Sequence, residues 1–367
     1  MNKVLWISNW KNASGYSEAS RDYLLAMDSV GINVVPRHIN LLKNRAKYSE
    51  TLDALESKSQ IGCSINVQHT LPKFMSYDGR YDKNIALFAC ETTNFIDSGW
   101  RLKLNLMDEI WVINNSMVDA CLESGVKKPI KVIPHTFNLD KFFQNYKTLP
   151  IIDKLKQKGN FIFYTIGEFV RRKNFGALLR AFHTEFSVNE RVDLVIKTSR
   201  GNEFRNFAKG IKEGLKLNRY KEEIVIDEYL GDSDLYSIHQ DADCFVQTSF
   251  GEAWSIPAFD AMGFGKTPLV PRCTGYLDYI PCEELLIPTQ KEIVFGNNES
   301  DSDLYTGREM WYHIDLPELR KRMRFIFEEK QKASQEYLSI VSKCQEKVHD
   351  FSYNNIGEKI KRCLSEP

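Results

Sequence analysis

The sequence predicts an α/β protein built from two doubly wound domains, each with a parallel sheet covered by helices. Short apolar runs recur between helical stretches, which is typical of βαβ units. The runs are apolar throughout and do not alternate, as expected of strands buried on both faces. This rhythm occurs twice, with a polar break between, and a length of 367 residues suits about two domains.

The predicted elements follow in two sets. In the first half, strands are predicted near Val4–Ser8, Ile32–Val35, Cys63–Val67, Ile85–Ala89, Ile110–Ile113 and Ile130–Ile133. In the second half, they are predicted near Phe161–Ile166, Leu194–Lys197, Ile224–Ile226, Cys244–Gln247, Pro268–Val270 and Leu285–Ile287. Asn145–Pro150 is interpreted as a linker and Asp153–Asn160 as a short lead-in helix. A polar helical segment is predicted over Leu316–Lys347, and an amphipathic one over Asn354–Leu364 packs back on one of the domains.

Composition excludes several classes of protein. Lys plus Arg and Asp plus Glu both number 49, which argues against a large basic surface for nucleic acid. No apolar run approaches the roughly 20 residues of a membrane span. The segment Met1–Ser8 meets Asn9 too early for a signal peptide, so we interpret it as a first buried strand. The eight cysteines form no C-x-x-C pair and are interpreted as reduced, packed thiols of a cytosolic protein, with no zinc site.

Two predicted strand–helix turns have the chemistry of anion sites. Gly15 follows the first strand, with Ser17 as the predicted N-cap of the next helix, and such a corner presents backbone N–H groups. In the second half, Gly167–Asn174 follows a strand and contains Arg171, Arg172 and Lys173, which suit a diphosphate. Neither turn is a G-x-G-x-x-G motif. The alternatives are an ordinary βα turn at Gly15 and a solvated basic turn at Gly167–Asn174.

The most informative segment is Thr248–Gly263, which directly follows the strand Cys244–Gln247. Pro257 suits the first turn of a helix, so Glu252 lies in the preceding loop and Asp260 on the helix. Carboxylates are good acceptors for sugar and ribose hydroxyls, and a helix N-terminus favours phosphate. The alternative is a capped helix start with surface acids. A further turn at the predicted cleft contains Thr274 and Gly275.

This segment resembles the E-x7-E signature of the retaining GT-B glycosyltransferases of family 4. Their pattern is Ser-x-x-Glu-Gly-x-Gly-x-Pro, then Glu-Ala-Met-Ala-x-Gly-x-Pro-Val. The chain has Ser249-Phe250-Gly251-Glu252-Ala253-Trp254-Ser255-Ile256-Pro257, then Asp260-Ala261-Met262-Gly263-Phe264-Gly265-Lys266-Thr267-Pro268, which keeps the spacing of the two acids. The segments Asp108–Ser116, Ser124–Val126, Val132–His135 and Phe351–Asn355 also resemble the family, so the resemblance covers nearly the whole chain.

The resemblance implies a GT-B fold, with two Rossmann-like domains that face a central cleft. The expected domains are an acceptor-side domain over 1–147, completed by a crossover helix at about 350–367, and a nucleotide-sugar domain over 148–349. Lys173 matches the lysine of the family's Gly-Arg-x-x-x-x-Lys stretch, whereas Glu168 stands where arginine is expected and Arg172 supplies the missing charge.

The resemblance also implies roles for individual residues. Glu252 would grip the donor sugar, Asp260 the ribose, and Lys173 with Arg172 the diphosphate, while His69 would face the sugar from the first domain. A half-buried structural histidine is the alternative for His69. The other expected donor-binding residues are Gly15, Gly251, Ala253, Trp254, Ser255, Thr274 and Gly275.

The preferred function is transfer of a sugar from a nucleotide-sugar donor to an acceptor hydroxyl, with retention of configuration and with no cofactor or essential metal. Asp232-Ser233-Asp234 matches D-x-D but opens a predicted helix. A glycan, a lipid-linked glycan, a protein or a nucleic acid stays open as acceptor. A degenerate nucleotide-sugar-binding or scaffold protein and a sugar-nucleotide epimerase are the alternatives. The expected location is cytoplasmic; peripheral contact with the inner face of a membrane stays open, although the basic segment Arg320–Phe327 is better interpreted as a packed surface helix.

Overall fold

The computed structural model describes residues 3–41, 45–295 and 304–366, and these divide into two compact units. The first unit comprises the described residues of Met1–Asn138, Ile293–Met310 and His349–Pro367. The second comprises Leu139–Glu292 and Trp311–Val348. The division falls nine residues before the predicted boundary after residue 147, and the first unit also includes residues 293–295 and 304–310, which the sequence rhythm assigns to the second domain.

The first unit contains a six-stranded parallel sheet with the order β2-β1-β3-β4-β5-β6 in its described part. Its strands are short, and Val4, Val67 and Ile85 at its centre are fully buried, although β3 also contains the buried polar residues Asn66 and Gln68. The elements in chain order are β1 (Lys3–Ser8), α1 (Gly15–Ser29), β2 (Val34–His38), α2 (Glu50–Ser57), β3 (Cys63–His69), β4 (Lys83–Phe88), α3 (Trp100–Leu104), β5 (Glu109–Val112), α4 (Asn115–Glu123) and β6 (Ile130–Val132).

The second unit repeats this plan with the order β12-β11-β10-β7-β8-β9, again parallel. Its elements begin with α5 (Pro150–Gln157), β7 (Phe161–Ile166), α6 (Phe175–Glu185), β8 (Val192–Lys197), α7 (Gly201–Leu215), β9 (Ile224–Ile226), α8 (Asp232–Asp241) and β10 (Cys244–Val246). They continue with α9 (Ile256–Gly263), β11 (Thr267–Pro271), α10 (Tyr276–Tyr279), β12 (Leu286–Ile287), β13 (Thr289–Ile293), β14 (Met310–Ile314), α11 (Leu316–Gln331) and α12 (Gln335–Val348). Strands β13 and β14 form a separate pair.

The last helix, α13 (Tyr353–Ser365), packs on α1 within the first unit. A Cβ at Gly357 would lie 2.6 Å from the carbonyl oxygen of Ala26, so the absence of a side chain permits this close approach. The Tyr353 hydroxyl donates to Asp22, and the Lys361 ammonium donates to the carbonyl of Val30. The C-terminal segment is thus fixed to the unit with which the chain begins.

The chain order reverses once in each sheet, between β1 and β3 in the first and between β7 and β10 in the second. Neighbouring crossovers leave such a point in opposite directions, which opens a crevice beyond the carboxyl ends of the two strands. Ligands of open α/β sheets bind in this crevice. The residues that follow β7 and β10 are therefore the first place to look for a site in the second unit.

The predicted strands agree with the observed ones to within one or two residues at most ends, because every run is long and apolar enough to be unmistakable. One helix prediction was wrong in detail. Ser14, not Ser17, caps α1, because the Ser14 hydroxyl accepts from the backbone N–H of Ser17. The helical segment predicted over Leu316–Lys347 consists of two helices, α11 and α12.

Packing and charge pairing agree with two further interpretations. All eight cysteines are free thiols, and all but Cys63 are buried. The basic helix α11 is packed as a surface helix: Arg320 and Arg324 pair with Glu185, and Arg324 also with Glu190. Among the helices of the described ranges, none combines the length and the apolar character that a bilayer crossing requires.

Candidate functional site

Two loops meet at the strand reversal of the second unit. One follows β7 and includes a short 3₁₀ turn over Arg171–Lys173, and the other runs from the end of β10 to α9. The backbone N–H of Phe250 donates to the carbonyl of Arg172 at 2.8 Å, and the Thr248 hydroxyl donates to the carbonyl of Asn174 at 2.8 Å. These bonds hold the cation-bearing loop against the loop that carries Glu252.

Between the loops, two cations contact one carboxylate. Lys173 Nζ lies 2.6 Å and Arg172 Nη1 2.8 Å from Glu252 Oε1, and Arg172 Nη1 also donates to the carbonyl of Gly251 at 2.7 Å. The side chain of Glu252 is 7% exposed, whereas those of Lys173 and Arg172 are 15% and 21% exposed. Two positive charges and one negative charge leave the cluster with a net positive charge and with partly accessible cations, which suits it to bind an anion.

The protonation state of Glu252 follows from this contact. Burial acts to raise its pKa, but the charges of Arg172 and Lys173, with hydrogen bonds from Lys173 and Ser249, outweigh burial and lower the pKa to about 2. Glu252 is therefore a carboxylate throughout the neutral range.

This lowered pKa predicts a specific loss of stability in acid. A carboxyl group with a folded-state pKa below its ordinary 4.5 stabilises the fold above pH 4.5, and that contribution is lost as the pH falls through about 2. The free energy of unfolding of the wild type, relative to Glu252→Gln, should decline by up to about 3 kcal/mol over this window. Urea unfolding at several pH values measures it. A difference that stays constant between pH 5 and about pH 2.5 would contradict the ion-paired state.

The peptide of Glu252 is held by the turn before α10. Its N–H donates to Thr274 Oγ1 at 3.2 Å, and its carbonyl accepts from the N–H of Gly275 at 3.1 Å. A Cβ at Gly275 would lie 2.1 Å from the carbonyl oxygen of Ala253, so only glycine fits this contact. The structure thus brings together the two segments in which the sequence placed donor-binding residues.

The start of α9 depends on two polar residues. Ser255 has φ 70° and ψ 81°, the left-handed region that non-glycine residues rarely adopt, and its hydroxyl donates to the side chain of Gln247. Gln247 also donates to Glu252 Oε1 and to Ser249 Oγ. Sequence reasoning missed Gln247, although a buried amide at the end of an apolar strand is an available signal.

Two helix N-termini adjoin the cluster. Helix α6 begins directly after Asn174 and α9 directly after Ser255, and neither is capped by a side-chain hydrogen bond from its N-cap residue. The first N–H groups of a helix lack intrahelical partners and favour anions. They add to the positive character that Arg172 and Lys173 give the site.

Asp260 is engaged elsewhere in the second unit. It lies within α9, is 4% exposed, and its Oδ1 is 2.6 Å from Nζ of Lys141, which is also buried. Burial raises the pKa of Asp260, while the Lys141 ammonium acts in the opposite direction. The carboxylate therefore has a partner of its own, and its contact with a ribose stays a prediction.

Among the other expected donor-binding residues, Ala253 and Trp254 have buried side chains. Trp254 is 1% exposed and stacks on Tyr279 with ring centroids 4.8 Å apart, and its carbonyl accepts from the Tyr279 hydroxyl. Ala253 is also buried. Arg171 is exposed, with its guanidinium 5.8 Å from the ring centre of Trp311. The side chains of Ala253 and Trp254 therefore support the loop from within the second unit.

In the first unit, the strand reversal brings Gly15 and His69 to one edge. Gly15 is the exposed first residue of α1, and His69 ends β3. His69 is 1% exposed, and its ring stacks on Tyr16 with centroids 4.5 Å apart. Burial, assisted by His135, lowers the pKa of His69 well below its usual value, so the imidazole is neutral at pH 7. It can therefore serve as a hydrogen-bonding group but not as a fixed charge.

A metal site in a protein is formed by several acidic, histidine or cysteine side chains that lie close together. Within residues 3–41, 45–295 and 304–366, no three of them are grouped as metal ligands would be.

Comparisons with known proteins agree with this description. Residues 150–302, most of the second unit, match the family described as "Glycosyl transferases group 1". The matched stretch contains Arg172, Lys173 and Glu252. No curated protein sequence matches the chain.

Solved structures match over almost the full length. HepE from Anabaena in complex with UDP-glucose has a TM-score of 0.67 and 15% identity, with 100% of both chains covered. Sucrose-phosphate synthase from Thermosynechococcus elongatus has a TM-score of 0.65 and 14% identity, covering 99% of this chain and 98% of that one. A glycosyltransferase from Rickettsia africae has a TM-score of 0.66 and 14% identity, with 100% of both chains covered. At these identities the likeness shows the fold, and the expected GT-B fold with two Rossmann-like units is confirmed.

Proposed function

We propose that the chain is a glycosyltransferase that moves a sugar from a nucleotide-sugar donor to an acceptor hydroxyl with retention of configuration. The observation that carries the proposal is the contact of Lys173 and Arg172 with Glu252 at the strand reversal of the second unit. Phosphate-bearing ligands favour this position in open α/β sheets, and the cluster lies in the segment that matches group 1 glycosyl transferases.

The cluster is suited to the diphosphate of the donor. Lys173 and Arg172 supply charge-assisted hydrogen bonds, and the uncapped N-termini of α6 and α9 supply backbone N–H groups. A UDP-sugar is the first donor class to consider, because structures of HepE with UDP-glucose and of an Escherichia coli trehalose-6-phosphate protein with UDP-2-fluoro glucose share this fold.

In the reaction, the bond between the anomeric carbon and the donor diphosphate breaks, the acceptor oxygen bonds to the anomeric carbon, and the proton of the acceptor hydroxyl passes to the departing diphosphate. Negative charge grows on the departing phosphate, and fixed cations lower the energy of that transition state. Lys173 and Arg172 would perform this role. Glu252, ionised and rigidly held, would accept hydrogen bonds from sugar hydroxyls and so align the anomeric carbon.

A screen of nucleotide sugars by thermal shift tests donor binding, because a ligand that binds the folded state raises its melting temperature. We expect a nucleoside-diphosphate sugar to stabilise the chain, and incubation of that donor with saccharide, lipid-linked or other hydroxyl acceptors to yield a glycoside. Binding without transfer or slow donor hydrolysis would favour a nucleotide-sugar-binding protein. A new nucleotide sugar formed without any acceptor would favour an epimerase.

We also expect turnover to survive removal of divalent metal, because the cations and helix N-termini supply the positive charge that a metal would otherwise bring to the diphosphate. Initial rates should be the same with and without EDTA. Activity that disappears with EDTA and returns with Mg²⁺ or Mn²⁺ would show that a metal is required.

A further inference from the structure

We propose that Gln247 is a positioning residue that holds the Glu252 carboxylate in place while the neighbouring cations bind the donor; this inference rests on the proposed function. Gln247 directly follows β10, is 3% exposed, and is fixed through its backbone N–H, which donates to the carbonyl of Leu269 at 3.0 Å. Its side chain points into the loop that carries Glu252, where both the NH₂ group and the oxygen of the amide form hydrogen bonds.

The hydrogen bonds of the amide fix its orientation. Nε2 donates to Glu252 Oε1 at 3.1 Å and to Ser249 Oγ at 2.9 Å, while Oε1 accepts from the Ser255 hydroxyl. A carboxylate can only accept, so the NH₂ group must face Glu252, and the Ser255 hydroxyl is then free to donate to the amide oxygen. Both amide hydrogens and the amide oxygen are therefore in use.

The bond to Ser255 matters because of the backbone there. Ser255 has a left-handed conformation at φ 70°, at a position where the family pattern quoted above has glycine. Such a conformation is strained for a residue with a Cβ and persists only where neighbouring contacts enforce it. Gln247 thus contacts both ends of the segment from Glu252 to Ser255, which leads into the N-terminus of α9.

Gln247 differs from the other partners of Glu252 in charge and mobility. Lys173 and Arg172 have long side chains and would turn part of their hydrogen bonding towards a diphosphate when a donor binds. Gln247 has a neutral, buried side-chain amide at the end of a strand. It carries no charge that a bound diphosphate would attract away from Glu252. It keeps the carboxylate oriented in the donor-bound state, in which the alignment of the sugar decides the rate.

The kinetic test compares Gln247→Leu with Gln247→Leu/Ser255→Gly. We expect Gln247→Leu to lower kcat roughly 10- to 100-fold, with a much smaller change in KM for the donor, here UDP-glucose as the probe. Adding Ser255→Gly relieves the left-handed strain and should raise the melting temperature of the variant without restoring kcat. Recovery of kcat together with stability would show that Gln247 acts only through Ser255 and would overturn the proposal, as would an unchanged kcat in Gln247→Leu.

Gln240→Leu is the matched control. Gln240 lies in the same unit, and its amide also donates and accepts, in both cases with the backbone of Tyr146. These hydrogen bonds involve no residue of the cluster around Glu252. Losing the Gln240 amide should therefore lower the melting temperature and leave kcat unchanged. An equal fall of kcat in both variants would mean that general loosening of the unit, and not the contact with Glu252, explains the effect.

A measurement of melting temperatures, which does not depend on enzyme activity, separates this inference from the proposed function. In a double-mutant cycle of Gln247→Leu with Glu252→Leu, the shift in melting temperature of the double variant should be smaller than the sum of the single shifts, because each single change removes one partner of the same hydrogen bond. Additive shifts would overturn the contact itself. Coupled shifts in a protein that transfers no sugar would refute the proposed function and, with it, the positioning role in transfer.

Discussion

Replacing Glu252 with glutamine is expected to lower kcat about 100-fold, since small misplacements of a reacting carbon have effects of this size. Glutamine keeps the shape of the side chain but loses the charge that orients Lys173 and Arg172, and it presents an NH₂ group where an acceptor is required. Asp260→Asn should have the smaller effect on kcat. Asp260 is already paired with Lys141, so a lost ribose contact would weaken donor binding by about 1 kcal/mol.

Steady-state assays of the two variants, after circular dichroism has confirmed that both are folded, decide between these roles. A larger fall in kcat for Asp260→Asn than for Glu252→Gln would reverse the assignment.

Replacing Lys141 with methionine is expected to reduce the free energy of unfolding by about 3–5 kcal/mol. Lys141 Nζ contacts Asp260 at 2.6 Å and lies 5.2 and 5.3 Å from the ring centres of Tyr236 and Phe142. Methionine preserves much of the apolar stem but leaves the Asp260 carboxylate buried without its counter-charge.

Urea unfolding of three variants measures this effect. Lys141→Met/Asp260→Asn should recover much of the loss, because no uncompensated carboxylate is left. Lys209→Met, which breaks an exposed pair with Glu213 in the same unit, should cost less than about 1 kcal/mol and serves as the control. A loss at Lys141 no larger than at Lys209 would contradict the description of a buried ion pair.

The architecture was open to prediction because it depends on local patterns. The runs at Phe161–Ile166 and Ile224–Ile226 have the predicted bounds, since a buried parallel strand must be apolar at every position. The N-cap of α1 was misplaced by three residues because Ser14 and Ser17 have equal chemistry, and only the backbone conformation decides which one caps. Residues 293–295 and 304–310 belong to the first unit through packing that no local pattern encodes.

The residues of the cluster could be singled out from the sequence, but their contacts could not. Cations after one strand and acids after another were both visible in the sequence. Their meeting depends on the reversal that sets β7 beside β10, across a sequence separation of 79 residues. The pairing of Asp260 with Lys141, and the hydrogen bond that the Ser255 hydroxyl donates to Gln247, depend on side-chain directions that spacing does not determine. The strained Ser255 became apparent only with its backbone angles.

Lys173 and Arg172 are proposed to bind the donor diphosphate, and the affinity of the protein for UDP tests this assignment most directly. Isothermal titration calorimetry should compare the wild type with Lys173→Ala and with the control Lys209→Ala. Losing Lys173 removes a charge-assisted contact and leaves Glu252 opposed by Arg172 alone, so UDP should bind at least roughly 10-fold more weakly. Lys209→Ala should bind UDP as the wild type does. An affinity for UDP that Lys173→Ala leaves unchanged would contradict the assignment of the diphosphate site.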